Sequence, residues 1–314
     1  MKAKKLIVLT LLAILLLSTF ACGGGGEEGV TLTPPDPAKL GTTEWDVTYG
    51  NVSGVALKMD IYYPEAADEA VPAIISVHGG AWIYGDKSGG TEVTVIPELV
   101  ARGYLVAAVN YRLSPEHKFP AHIEDVKCAV RHLRANAAEY GIDPSRIGAF
   151  GHSAGGHLVA LLGTSDPSSG LEGSCGYSDQ SSRVQAVADL SGPANLAILL
   201  SDVDFVLYIE QIFDTKAEEV FGTRDPNSEI VSGASPITHV TNDDPPFLIV
   251  HGDEDVLVPL SQSEMLYDQL VAAQVTATLV VVQNADHGFE GSSASMTWDE
   301  IIDTIADFFD QHLK

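Results

Sequence analysis

Apolar positions along this chain fall into two alternating rhythms. Short apolar runs bounded by turn residues predict eight strands: EWDVTYG, ALKMDIYY, AIISVHGG, YLVAAVNY, RIGAFGHS, VQAVADLSG, PFLIVHGD and TATLVVVQNAD. Segments of helical period predict helices over 91–102, 120–139, 154–164, 261–273 and 298–313. Two strands come first, and strand and helix alternate from there. Unbroken runs such as FLIV and LVVV suit strands covered on both faces, as a parallel sheet flanked by helices requires. The pattern therefore predicts one α/β domain over 42–314 with a mostly parallel eight-stranded sheet. Residues 193–245, between the sixth and seventh strands, far exceed an ordinary connection and hold the helix-like VDFVLYIEQIF and AEEVFG. They predict a small cap, in which Phe205, Tyr208 and Phe213 either line a pocket or pack as core.

The first residues follow a different rule. Lys2, Lys4 and Lys5 precede the apolar LIVLTLLAILLLSTF, then Ala21 and Cys22. The run is short for a bilayer span and a polar glycine stretch follows at once, so 1–21 reads as an export signal. A small residue followed by Cys resembles the lipobox of bacterial lipoproteins, which implies lipidation at Cys22 and an exported protein held at a membrane through that lipid. The alternative is a soluble secreted or periplasmic protein. The stretch 22–41, which opens CGGGGEEGVTLTPPDPAKL, is rich in Gly and Pro and is expected to be a flexible tether with no core.

Charge narrows the partners. Seventeen basic residues face 43 acidic ones, a net charge of −26, so the surface repels phosphate backbones and acidic headgroups, and nucleic acid is not an expected partner. With Cys22 assigned to lipid, Cys128 and Cys175 are the remaining cysteines of an exported chain. They are candidates for a disulfide, the alternative being a buried thiol at 128 and a free one at 175. Nothing in the pattern reports an oligomeric state.

The chemistry gathers where strands end. GHSAGG, residues 151–156, follows the strand RIGAF and opens a helix, so the chain must turn sharply at Ser153 while Gly151 and Gly155 give clearance. That is the mechanics of a nucleophile elbow, which lifts a serine hydroxyl to a helix N-terminus; the plain alternative is a glycine-rich turn with a serine cap. HGGAW, residues 78–82, ends the third strand. Glycines there let backbone N–H groups approach a developing oxyanion, which makes Gly80 and Ala81, with Ala154 after the serine, the candidate donors. His78, Gly79 and Trp82 support that loop. HGDEDVLVP ends the seventh strand and offers Asp253 and Asp255, and NADHGFEG ends the eighth and offers His287. All lie at the carboxyl edge of a parallel sheet, where they can meet Ser153 although distant in sequence. His78, His152, His157 and His251 crowd the same edge and are read as shaping loops. DED lacks the further ligands of a calcium loop, so no metal and no cofactor is expected.

From about residue 43 onward the chain resembles the α/β-hydrolase superfamily, in particular its hormone-sensitive-lipase-like and bacterial feruloyl- and acetylxylan-esterase-like branches. HGGAWIYGDK, NYRLSPEHKFPAHIEDVKCAVRHLRANAAEYGIDPSRIGAFGHSAGGH, HGDEDVLVP and DHGF carry the likeness. The resemblance implies a Ser153, Asp255, His287 triad. Asp255 holds the position that the HGDxDxxVP pattern gives to the acid, whereas Asp253, directly after the strand, is expected to stabilise a turn through its own downstream N–H groups. Asp243 and Asp244 precede the seventh strand, at the wrong edge. The resemblance also implies carboxylic esters as substrates, acetyl or feruloyl groups on plant polysaccharide among them. A small serine peptidase, or a non-catalytic binding protein on the same fold, is the competing expectation.

Overall fold

Eight strands form one sheet in the order β1-β2-β4-β3-β5-β6-β7-β8. They are β1 (Thr43–Val52), β2 (Val55–Tyr62), β3 (Val71–Val77), β4 (Leu105–Val109), β5 (Ile142–His152), β6 (Ala186–Leu190), β7 (Phe247–Gly252) and β8 (Ala277–Val282). The computed structural model describes residues 32–314; the expected export signal, Cys22 and the tether up to Thr31 lie outside the described residues. β2 runs antiparallel to both β1 and β4, and every neighbouring pair from β4 to β8 is parallel. Consequently β3, β5, β7 and β8 deliver their carboxyl ends to one edge.

Unbroken apolar runs are fully covered in the inner strands, but LVVV of the outer strand β8, expected to be covered on both faces, is mostly half-exposed because no further strand flanks it. Every residue of β3, β4, β6 and β7 is buried, whereas the outer strands β1 and β8 are largely half-exposed. Successive side chains of a strand enter opposite layers. Ile75 and Val77 of β3 join one core and Ile74 the other. Each such aliphatic side chain contributes about 1.5–3 kcal/mol on burial.

Helices cover both layers. A 3-10 turn at Thr91–Thr94 leads into α1 (Ile96–Ala101), where one helix is expected over 91–102. Pro97 in the first turn of α1 lacks the N–H that would continue a helix from upstream. The stretch 120–139 likewise divides into α2 (Ala121–Ala135) and α3 (Ala137–Tyr140) at Asn136, whose Nδ2 donates to His132 O at 2.8 Å. α4 (Ala154–Thr164) follows β5 directly. Four short helices, α5 (Leu196–Ser201), α6 (Val203–Phe213), α7 (Ala217–Val220) and α8 (Glu229–Gly233), lie in the segment between β6 and β7. They share a small core of Leu196, Val220, Phe221, Val231 and Ala234 packed against Trp82 and Phe119, while α6 buries no residue of its own. α9 (Ser261–Ala272) precedes β8, and α10 (Trp298–Leu313) ends the chain behind a Thr297/Glu300 capping box. α2, α4 and α9 cover one face, through Ile123, Leu158 and Leu266; α1 and α10 cover the other, through Leu99, Ile305 and Phe309.

The expected flexible tether over 22–41 needs correction in its described part. Pro35 is buried, Thr33 Oγ1 donates to Ala138 O at 3.3 Å, Gly41 N donates to Pro64 O at 2.9 Å, and Lys39 pairs with Glu44 at 2.9 Å. The left-handed Gly141 makes the room, since a Cβ there would lie 2.0 Å from Pro35 N. Pro34, Pro35 and Pro37 have fixed φ, so this segment loses little entropy on docking. The compact body accordingly begins at Leu32 rather than at 42.

Cys128 of α2 and Cys175 of the loop after α4 are bonded, with Cα atoms 5.7 Å apart across 47 residues of sequence. The sulfurs pack on β1 at Gly50, where a Cβ would lie 2.3 Å from Cys175 Sγ. Closing a loop of that length stabilises a fold by roughly 4 kcal/mol in the chain-entropy account. Urea titration of Cys128→Ala/Cys175→Ala is expected to show a loss of about that size. Alkylation of the denatured, unreduced wild type should leave both cysteines unlabelled; label at both would mean no bridge.

Candidate active site

The sheet edge is shaped by one strained turn. Ser153 joins β5 to α4 with φ 60° and ψ −122°, a conformation rare for a residue with a side chain. Backbone contact dictates its neighbours. A Cβ on Gly155 would lie 2.0 Å from Val77 O, and one on Gly151 2.5 Å from Gly155 C. Ser153 N donates to Leu190 O at 2.8 Å, which ties the apex to β6. The hydroxyl is thus held clear of the sheet at the first turn of α4.

Two loops bring its partners. His287, after β8, places Nε2 2.8 Å from Ser153 Oγ and Nδ1 2.6 Å from Asp255 Oδ2. With Nδ1–H donated to the carboxylate, the Nε2 lone pair faces the serine hydroxyl. Asp255 is buried and fully bonded. Its Oδ1 accepts from Leu257 N and Val258 N, each at 2.8 Å, and its Oδ2 also lies 3.1 Å from His251 Nε2. Burial alone would push this carboxyl up, but the hydrogen bonds from His251, His287 and Val258 N hold it well below the usual range. Asp253 bonds differently from expectation. Its Oδ1 accepts from Asn284 N across the gap to the end of β8, and it is Asp255 that bonds its own downstream N–H groups.

The remaining histidines of this edge are committed to the backbone. His152 Nε2 donates to His287 O at 2.7 Å and so fixes the loop that carries His287; burial and the neighbouring His287 hold its pKa down to about 4. His157 Nε2 donates to Ala234 O at 2.7 Å, its Nδ1 accepts from Trp82 Nε1 at 3.1 Å, and burial lowers it to about 4 as well. His251 Nε2 lies 2.8 Å from Val258 O and Nδ1 2.6 Å from Ser263 Oγ. His78 Nδ1 bonds Gly79 O at 2.8 Å, with its ring stacked on Tyr111 at 4.3 Å. These contacts orient loops, and in His157 and His251 they engage both ring nitrogens.

Beside the serine, the loop after β3 carries three consecutive residues in the left-handed region: Gly80 (φ 110°), Ala81 (φ 51°) and Trp82 (φ 62°). A Cβ on Gly80 would lie 2.4 Å from Tyr84 O, so glycine is required there. Among the described residues, none accepts a hydrogen bond from the N–H of Gly80, Ala81 or Ala154. Gly79 N is different, because it donates to Glu92 Oε1 at 2.8 Å. Glu92 is a residue that sequence reasoning misses: in SGGTEVTV it looks like any surface acid, and only its 3% exposure sets it apart.

A cavity of about 120 Å³ opens in front of these groups. Ala81, Trp82, Ser153, Ala154 and His287 form its floor, and Leu196, Leu199, Phe205, Ile209, Phe213 and Phe221 form its apolar walls. Phe205 and Phe213 therefore line the pocket, whereas Tyr208 on the same helix does not and is 44% exposed. A bound carbonyl there would meet a hydroxyl, an imidazole and two sets of free N–H groups, the parts that acyl transfer needs.

Comparison with known proteins places the chain in a family. The sequence profile of the BD-FAE family matches residues 59–270. Esterase LipC of Mycobacterium tuberculosis is 35% identical over 224 residues, 70% of this chain and 53% of that protein. The chain spans roughly half the length of the curated relatives it matches. A truncated form of a carbohydrate esterase from gut microbiota superposes with a TM-score of 0.74 at 33% identity, covering 88% of this chain and 98% of that one. Thermogutta terrifontis esterase 2 phosphorylated by paraoxon superposes with a TM-score of 0.66 at 26% identity, covering 86% of this chain and 91% of that one. The chain belongs to the BD-FAE family, carried on an α/β-hydrolase fold.

Proposed function

We propose that the chain is a serine esterase that cleaves carboxylic esters through an acyl-enzyme. The observation that carries this reading is the unbroken relay from Ser153 Oγ to His287 Nε2 at 2.8 Å and from His287 Nδ1 to Asp255 at 2.6 Å. Ser153 Oγ attacks the ester carbonyl carbon as its proton passes to Nε2, and Asp255 stabilises the imidazolium that results. The free N–H groups of Gly80 or Ala81 and of Ala154 hold the oxyanion. Collapse breaks the bond to the alcohol, which leaves with the proton from Nε2. Water then attacks the acyl-enzyme with His287 again as base, returning the serine and releasing the acid.

Ser153→Ala is expected to lower kcat by about six orders of magnitude while the fold, followed by circular dichroism, is unchanged. Asp255→Asn should lower kcat by about 10⁴, because the amide can no longer hold the required tautomer. Asp253→Asn, which touches only the Asn284 turn, should act on thermal stability and leave kcat near wild type. The reverse ranking of the two aspartate variants would reassign the acid.

The apolar walls of the cavity suit an acyl or aryl group. Together with the family match and the likeness to a carbohydrate esterase, they support acetyl or feruloyl esters of plant polysaccharide as substrates. Rates on nitrophenyl esters of increasing chain length, methyl ferulate, acetylated xylan and a matched anilide test this. Turnover of the ester should exceed that of the anilide by orders of magnitude; comparable rates would favour a peptidase.

The basic start, apolar run and Ala21-Cys22 junction support export with a lipid on Cys22. Wild type should then partition into detergent and Cys22→Ala into the aqueous phase. Wild type found wholly in the aqueous phase would leave simple secretion.

A further inference from the structure

Glu92 lies behind the serine and the oxyanion loop, on the 3-10 turn that follows that loop, and touches neither substrate space nor solvent. Its Oε1 accepts two backbone hydrogen bonds from different elements, Gly79 N at 2.8 Å and His152 N at 3.3 Å. Gly79 immediately precedes the donor Gly80, and His152 immediately precedes Ser153. One carboxyl oxygen therefore joins the two segments that must supply N–H groups to the same point. The two segments also approach each other closely: a Cβ on Gly79 would lie 2.9 Å from His152 O and 3.4 Å from Ser153 Cβ.

The second oxygen is the informative one. Oε2 is buried without a partner among the described residues, crowded by Gly90, where a Cβ would lie 2.3 Å away. A carboxyl retained with one oxygen unsatisfied is not there for burial, since an apolar side chain of the same size would fill the space without an unpaired polar atom.

We propose that Glu92 is a positioning residue for the oxyanion hole, holding the Gly79 and His152 amides so that the N–H groups of Gly80, Ala81 and Ala154 converge in front of Ser153 Oγ. It also occupies the Gly79 N–H, which leaves the next two amides of the loop as donors. Burial, opposed by the backbone N–H groups that bond it, pushes the carboxyl up to about 7, so the neutral acid is well populated near neutrality. The acceptor oxygen is what the site requires, and a charge behind the oxyanion is not.

The proposal rests on Ser153 being an esterase nucleophile, and the test separates the two. Wild type, Glu92→Gln and Glu92→Met are titrated to the end point of paraoxon labelling to count competent sites, and kcat and KM per labelled site are measured on a nitrophenyl ester. Glu92→Gln keeps the acceptor in the neutral form and should hold kcat within about threefold of wild type. Glu92→Met keeps the volume without the acceptor. It should lose kcat by about 10- to 100-fold, below the loss of an entire oxyanion donor, with KM within about threefold. Wild-type kcat in the Met variant, or equal losses in Gln and Met, overturns the proposal, as does a loss that follows the number of labelled sites. If the Met variant does not fold, Glu92→Asp is the second variant. Its carboxyl is one methylene short of Gly79 N, so kcat should fall there too, and an unchanged kcat overturns the proposal. A wild type that neither labels nor turns over ester would refute the esterase reading itself.

Discussion

The active edge depends on a backbone contact with no side chain in it. The first turn of α4 lies against the end of β3 so closely that a Cβ on Gly155 would sit 2.0 Å from Val77 O, and the oxyanion loop lies against the end of β5 at Gly79 and His152. Glycines at 79, 151 and 155 permit that approach, and the approach in turn forces Ser153 to φ 60°. Strain of this kind persists only where the surroundings over-determine it. Here they do so from three sides: Leu190 O takes the Ser153 N–H, Glu92 takes the His152 N–H, and α4 continues from the apex. The elbow and the loop after β3 are consequently one rigid object, so the Ser153 hydroxyl and the N–H groups beside it are held in place without reorganisation.

The strands and the long helices were legible in the sequence because their burial is periodic. FLIV announced the fully buried β7, whereas LVVV falls in the outer strand β8 and is mostly half-exposed; the helix expected over 298–313 from its apolar period is α10. Breaks inside helices were less legible. Pro97 and Asn136 each divide a continuous apolar pattern for a reason that lies in hydrogen bonding rather than hydrophobicity. The docking of residues 32–41 was hidden for a similar reason, because Gly and Pro signal both a flexible linker and a segment that is cheap to order. Which of the two applies is decided by the distant Gly141.

At the site the motifs pointed to Ser153, Asp255 and His287, which the structure brings into hydrogen-bond contact, but not to the groups that hold them. GHSAGG, HGGAW, HGDED and DHGF each stand at a strand end, and topology brings those ends together. Five histidines stand at that edge, and order along the chain singled out His287 while the other four were read as shaping loops. The structure separates them by what their nitrogens bond: His78, His152, His157 and His251 each bond a backbone carbonyl, whereas His287 faces a hydroxyl on one side and a carboxylate on the other. Glu92 was invisible because its role is defined by two backbone N–H groups, and a backbone group leaves no signature in a sequence.

Asp255 shows how one side chain can serve fold and chemistry together. Its Oδ1 closes the turn through Leu257 N and Val258 N, while its Oδ2 takes the imidazole N–H. These roles reinforce each other electrostatically. Every donor that fixes the turn also stabilises the ionised carboxylate, which a buried position would otherwise disfavour. His251 adds to the same balance: its Nε2 faces both the carboxylate and Val258 O, while Ser263 at the start of α9 bonds its other nitrogen. Packing of α9 on the sheet is thereby coupled to the charge state of the acid. That coupling gives a physical reason for the acid to lie two residues into the loop, at Asp255, rather than directly after β7 at Asp253. Only there can the carboxylate reach downstream N–H groups, His251 and His287 at once.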